Sequence, residues 1–411
     1  METWWRALTF SLGYNTSLVT IGSMLLGAGG GMIGSFVLLR KRSLVSDAIS
    51  HSTLPGLALA FILVGLWQGD GRWLPGLLLG AALSAALGLW AVQAISERTR
   101  LGEDAAIGAM LSTFFSLGVE LITVIQSMQV AGQAGLTGYL VGATAGMLAS
   151  EAWLIAGCAL GVLLAIFVLR RDFLMVCFDA PFARTQGLSS NRVDLLMLML
   201  LMAVVVIGLK VTGLILIVAL TIIPPVTARF WTDRPLRMVA LAALLGALAG
   251  YFGVTLSSVR EGLPTGPLIV LAAFALFLIS FLFSPRRGVL ATLLAHYRFR
   301  RRVHLRQGLL ALARDEPIFD SLTLALLRRQ GYIRRDGVPT PPGRAAARDA
   351  EHEERLWALY RERYPDDALH QEYSGLVPIA RVLPPDAIIA LESQLRPSRP
   401  FSRESRREED E

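Results

Sequence analysis

The chain has 411 residues, of which 54% are hydrophobic and only 17% charged, and its mean hydropathy is +0.53. That balance excludes a wholly water-soluble protein. The net charge of +7 is no argument for nucleic acid, because basic loops beside membrane spans are what topology rules require. Two cysteines, Cys158 and Cys177, lie far from any disulfide framework, and no disulfide is expected.

Apolar runs of about 20 residues suit a bilayer crossing. They fall at 16–39, 44–67, 74–96, 105–128, 152–169, 192–210, 211–230, 237–256 and 267–284, which predicts nine transmembrane helices. The N-terminus lacks a basic region, a short apolar run and a small-residue cleavage site, so the first span itself is expected to direct insertion. Arg40/Lys41/Arg42, Arg98/Arg100, Arg170/Arg171 with Arg184 and Arg192, Arg229/Arg234/Arg237 and Arg286/Arg287 sit on alternate loops. The opposite loops hold Arg72, Lys210 and Arg260. The positive-inside rule then puts the N-terminus outside and the C-terminal tail in the cytoplasm of a prokaryotic inner membrane. Trp4, Trp5, Trp67, Trp73 and Trp153 fall at the outer ends, as an aromatic belt would, and Lys210 is expected to snorkel at an outer turn.

Glycines four apart (Gly27/Gly31, Gly30/Gly34, Gly76/Gly80, Gly246/Gly250) mark helix faces that can approach closely in lipid. Gly138, Gly142 and Gly146 repeat the spacing in a piece too short to cross, read as a re-entrant segment.

One stretch carries chemistry. Residues 36–61, FVLLRKRSLVSDAISHSTLPGLALAF, pass a basic cluster and enter an apolar helix bearing Asp47 and His51. Residues four apart share a helix face. An acid beside an imidazole in a membrane segment is costly and therefore a functional candidate. His51 is the only histidine before His296; His304, His352 and His370 follow in the tail. A carboxylate with a neutral imidazole suits Mn²⁺, Fe²⁺ or Zn²⁺. The remaining ligands would come from carbonyls, Ser46 or Ser50, another helix, water or a second chain. A structural ion pair and a proton relay stay open as readings of the same residues. Glu120, the next intramembrane acid, either lines the same path or bonds to a neighbouring helix.

The loop at 177–194, CFDAPFARTQGLSSNRVD, repeats Asp179, Ala183 and Gly187 every four residues, as on a short helix along the membrane. It reads either as an ordinary amphipathic loop or as a docking element for a cytoplasmic partner. Pro224 and Pro225 are expected to kink the seventh span, and REGLPTGP (260–267) punctuates the approach to the last one.

From 285 the chain changes character. A basic juxtamembrane stretch, 285–302, suits anionic lipid. Helical patterns at 303–314 and 319–330, a hairpin with its turn at Asp336-Gly337 and a helix at 343–363 follow in winged-helix order. An acidic helical piece and a helix near 384–395 complete the domain, and 396–411 is charged enough to be disordered. The expected fold is an all-α polytopic membrane domain, 1–284, a basic linker, 285–302, and a winged-helix-like (α+β) cytoplasmic domain, 303–395.

The segment from Asp47 to Gly56, DAISHSTLPG, resembles the second-span motif of permease subunits in ABC importers for zinc, manganese and ferrous iron. EDAAIGAMLSTFFSLGVELI (103–122), FDAPFARTQG (178–187), VTGLILIVALTIIPPVTARF (211–230) and GLPTGPLIVL (262–271) resemble further segments of that family in order, together covering about residues 16–285. The resemblance implies metal contact by Asp47 and His51 and coupling to an ATPase through 178–187. It also implies partners: a separate cytoplasmic ATPase that binds ATP, an extracytoplasmic metal-binding protein and a second permease chain. No GxxxxGK[ST] motif is present, so ATP hydrolysis is expected on the partner rather than here. The tail, through 351–376, distantly resembles metal-dependent repressors of the diphtheria-toxin-repressor type, and is read as a regulatory or protein-docking module rather than a DNA binder. The competing classes are a proton-coupled secondary transporter, against which the coupling-type loop argues, and a membrane-tethered regulator, for which nine Gly-rich spans are excessive.

Overall fold

A computed structural model describes residues 14–68, 73–128, 149–259, 263–365 and 376–395. The glycine segment 138–146, Trp4, Trp5, His370 and the tail from 396 lie outside the described residues. The chain divides into two compact units, Met1–Ala291 and Thr292–Glu411.

The first unit is helical throughout its described residues: α1 Tyr14–Leu39, α2 Val45–Gln68, α3 Leu74–Arg98, α4 Glu103–Ser127, α5 Ala149–Phe178, α6 Ala180–Thr185, α7 Ser190–Thr212, α8 Leu214–Trp231, α9 Pro235–Val259 and α10 Thr265–Phe283. Eight of these are long and apolar enough to cross a bilayer, one fewer than the nine runs. The difference lies at 211–230. Val211 and Thr212 finish α7, Gly213 turns the chain at φ +82°, and the remainder forms α8, whose apolar part, Leu216–Trp231, is short for a crossing.

The small residues decide which helices sit inside. A methyl on Gly27 would lie 2.1 Å from the Gly246 carbonyl oxygen, and one on Gly31 would lie 2.2 Å from that of Ala242. α1 and α9 therefore touch backbone to backbone, where any side chain would force them apart. α8 meets the other side of α1 differently. Its helix runs through Pro224 and Pro225. Proline has no N–H, so Pro225 leaves the Thr221 carbonyl without its intrahelical donor. A methyl on Gly34 would lie 1.9 Å from that same carbonyl oxygen. The glycine brings α1 up against the oxygen that proline has freed, a position suited to a Cα–H contact.

The basic loops gather at one end of the bundle. Arg40, just past α1, pairs with Asp194 on α7 and donates to the Val176 carbonyl of α5 at 3.4 Å. Arg42 pairs with Glu103 of α4 at 3.2 Å, and Ser284 donates to the Phe230 carbonyl of α8. Leu38 of α1 packs on Ala228, Met238 and Ala242, which brings the ends of α8 and α9 into the same group. At the other end Lys210 does not snorkel alone. It pairs with Glu151 of α5 at 3.7 Å, with both side chains largely buried.

In the second unit α11 (Val289–Ala313) is one continuous helix over the stretch expected as linker and first helix. α12 (Ser321–Arg329), α13 (Pro341–Arg363), a 3₁₀ turn at Ile379–Arg381 and α14 (Pro385–Leu395) follow. The expected hairpin is reduced to one antiparallel bridge, Ile333 with Pro339, around Gly337 at φ +86°. With Pro341 starting the next helix, the returning arm is too short to extend that bridge into a ladder. No strand occurs among the described residues, so this unit is helical and not the expected α+β domain. Trp357, fully buried, centres its core with Leu356, Tyr360, Ile379, Leu383 and Leu391.

Candidate functional site

α2 starts because the chain turns sharply after α1. Lys41 takes φ +60°, and Val45 N–H then donates to the Arg42 carbonyl. Asp47 sits in the first turn of α2, where the helix dipole favours an anion. One turn on, His51 Nε2 stands 3.4 Å from Asp47 Oδ1. The histidine side chain is 15% exposed and the aspartate 37%, so the pair is walled on the imidazole side and open on the carboxylate side. The ring of His51 meets the Phe115 ring of α4 edge-on, with centroids 5.1 Å apart. His51 Nδ1 is buried and has no hydrogen-bond partner. A buried imidazole nitrogen without a partner is a costly feature that invites a ligand.

The hydroxyls of Ser46 and Ser50 on α2 are spent elsewhere. Ser46 donates to the Ser43 carbonyl at 2.8 Å and Ser50 to the Leu214 carbonyl at 2.5 Å, so both are buried in packing and Ser50 ties α2 to the start of α8. Ser52 Oγ is buried without a partner against Gly88 of α3. Among the described residues no group of three or more His, Cys, Asp or Glu could share a metal ion. Among the described residues one chain offers Asp47 and His51 and no third such ligand beside them.

Glu120 is exposed on α4, away from the helices of its own protomer, and so is not buried against a neighbouring helix. It belongs to a stripe of exposed polar residues, Ser112, Ser116, Glu120, Thr123 and Ser127, running the length of this span. The stripe passes beside Phe115, the ring that touches His51. The sequence contained this spacing, but only the buried face of α4 on Leu54 and its neighbours reveals that the polar face points outward.

The loop between α5 and α7 forms the six-residue helix α6. Asp179 caps it, accepting from the Phe182 N–H at 2.9 Å. Ala183 is fully buried beneath it. Gly187, at φ +83°, closes it: Leu188 N–H reaches the Ala183 carbonyl and Gly187 N–H the Arg184 carbonyl, both at 3.0 Å. The four-residue repeat thus marks a cap, an anchor and a stop. The side chains presented outward are others, chiefly Phe178 (64% exposed) and Phe182 (50%). Exposed aromatics on a polar loop would have betrayed them in the sequence.

This chain can be set beside known proteins. The family model described as ABC 3 transport family matches residues 14–284. The manganese transport system membrane protein MntC of Bacillus subtilis (strain 168) is 41% identical over 298 residues, covering 72% of this chain and 67% of that one. The zinc transport system membrane protein TroC of Treponema pallidum (strain Nichols) is 36% identical over 294 residues, covering 72% and 96%. The chelated iron transport system membrane protein YfeC of Yersinia pestis is 34% identical, covering 74% and 97%. Among solved structures, PsaBC from Streptococcus pneumoniae in complex with Fab matches with a TM-score of 0.59 at 30% identity, covering 68% of this chain and 95% of that one. Eight apolar spans, the α6 loop and a family match over most of the membrane unit lead to one conclusion: the chain belongs to the ABC 3 transport family, among relatives that are membrane proteins of manganese, zinc and iron transport systems.

Proposed function

We propose that this protein is the permease subunit of an ATP-driven importer of a divalent transition metal, with Asp47 and His51 as the chain's contacts to the ion. The observation that carries this reading is the Asp47–His51 pair, whose Oδ1 and Nε2 stand 3.4 Å apart with the carboxylate side open. Two ligand atoms each about 2.1 Å from one ion at a tetrahedral angle stand about 3.4 Å apart, so the pair needs little rearrangement to share one. Two ligands hold an ion loosely enough to release it, as conduction requires. A second permease chain, seated against the polar stripe of α4, completes the sphere and lines the pathway with Glu120. The exposed Phe178, at the end of α5, and Phe182, on α6, supply the docking surface for a separate ATPase, and an extracytoplasmic metal-binding protein delivers the ion. The basic end of the bundle is cytoplasmic in this reading. The second unit serves as a regulatory or protein-docking module.

The test is uptake by cells carrying the chain with its ATPase and delivery protein, offered manganese, zinc and iron in competition. Asp47→Ala and His51→Ala each lower uptake by at least about tenfold, with normal expression and ATPase binding, and the metal that competes best is the cargo. Unchanged uptake in both variants makes the pair structural and removes the proposed contact.

A further inference from the structure

The ends of α8 and α9, with the residues after α10, enclose a cleft of about 490 Å³ lined by Trp231, Arg234, Arg237, Leu241, Leu244 and Arg286. Its volume is that of a small-molecule site. The charges are not balanced. Asp233 pairs with Arg286 at 3.5 Å and with Arg287 at 2.5 Å. Arg234 and Arg237 have no carboxylate partner among the described residues. The mouth of the cleft therefore selects an anion.

The wall selects something more. Arg237, Leu241 and Leu244 fall at helical spacing on one face of α9. That face runs from a cation to an apolar surface in about 10 Å of helix rise. Leu244 is exposed, and so is Trp231 at the end of α8, the place where an indole ring sits at a headgroup level. A free phosphate would use the arginines and leave the leucines idle. An amphiphile with an anionic head and an acyl chain uses both.

We propose that this cleft is a binding site for one anionic phospholipid, its phosphate held by Arg234 and Arg237 and its acyl chain laid along Leu241 and Leu244. The site is separate from Asp47 and His51, and its failure would leave the transport reading untouched.

The full chain, purified in detergent, is examined by native mass spectrometry with added phosphatidylglycerol, phosphatidylcholine or inorganic phosphate. Phosphatidylglycerol is retained in preference to phosphatidylcholine and is not displaced by millimolar phosphate. Arg234→Gln with Arg237→Gln lowers that retention by about fivefold per arginine removed. Arg98→Gln with Arg100→Gln, which removes the same charge from another basic loop, leaves it unchanged. A thermal melt of each variant verifies folding, and Leu244→Ser, which keeps both arginines, lowers retention as well. Equal retention of the two lipids, displacement by phosphate, or an equal loss in the Arg98/Arg100 variant overturns the site.

Discussion

α1 and α4 are almost the same helix by length and hydropathy and have opposite fates. Their spans have 24 and 25 residues and mean hydropathies of 1.6 and 1.7, yet 67% of the α1 window is buried in the protein and only 22% of the α4 window. Hydropathy reports that a helix belongs in a bilayer. It is silent on whether its neighbours are protein or lipid, because lipid tails are as apolar as leucine. What separates the two is the distribution of small and polar residues. α1 carries glycines on faces that meet α8 and α9, and α4 carries a stripe of hydroxyls and a carboxylate on the face its own protomer leaves open. A carboxylate turned toward lipid is costly, so that open face is suited to a second chain and water.

The sharpest way to break the comparison is with glycines. Gly31→Leu drives a side chain into the α9 backbone and is expected to cost on the order of 3 kcal/mol or more, the upper range of overpacking. Gly108→Leu on α4, with nothing within 4 Å of its added carbon, is expected to be tolerated. Thermal unfolding in detergent measures both, and equal destabilisation would mean that burial in one protomer does not distinguish the helices. A smaller effect is expected at Glu120. If α4 faced lipid, Glu120→Leu would be neutral or beneficial. Facing a cation path, Glu120→Gln lowers uptake several-fold with unchanged folding, and wild-type uptake in both variants would return this face to the lipid.

The smallest effect lies in the second unit, in which no described helix is long and apolar enough to cross a membrane. Asp320 caps α12, accepting from the Thr323 hydroxyl at 2.6 Å and the Thr323 N–H at 2.8 Å, with His304 Nδ1 3.1 Å away. The Thr323 hydroxyl first, then its backbone N–H, hold the Asp320 carboxyl below its ordinary value of 3.8. A carboxyl lowered on folding contributes stability that is present above its unfolded value and lost as pH falls through the folded one. Protection of the amides in the first turn of α12, measured against their intrinsic exchange rates, is therefore expected to fall below about pH 4. Asp320→Ala abolishes that pH dependence and quickens exchange at neutral pH. An unaltered profile in the variant would remove the carboxylate from the cap.

Much of this was legible from composition and spacing. The apolar runs located the helices, and the alternate basic loops proved to share one end of the bundle. Asp47 and His51 were brought together by helical periodicity alone. What escaped was non-local. Arg40 and Asp194 are 154 positions apart, and nothing in either neighbourhood names the other. Lys210 read as a lone cation because Glu151 lies on a different helix. The run at 211–230 read as a full crossing because a single glycine with positive φ is invisible to hydropathy. The hairpin at Asp336-Gly337 had the right turn residues, but turn chemistry fixes a reversal of the chain and not the length of ladder behind it.

The backbone contact between α1 and α9 also has a mechanical meaning. Helices that meet through side chains absorb small displacements by changing rotamers, and their interface behaves as a cushion. At Gly27 against Gly246 and Gly31 against Ala242 the cushion is nearly absent. Such a joint has low compliance, so α1 and α9 move as one strut. A push arriving at the basic end of the bundle is carried along that strut toward the far side of the membrane with little lost on the way.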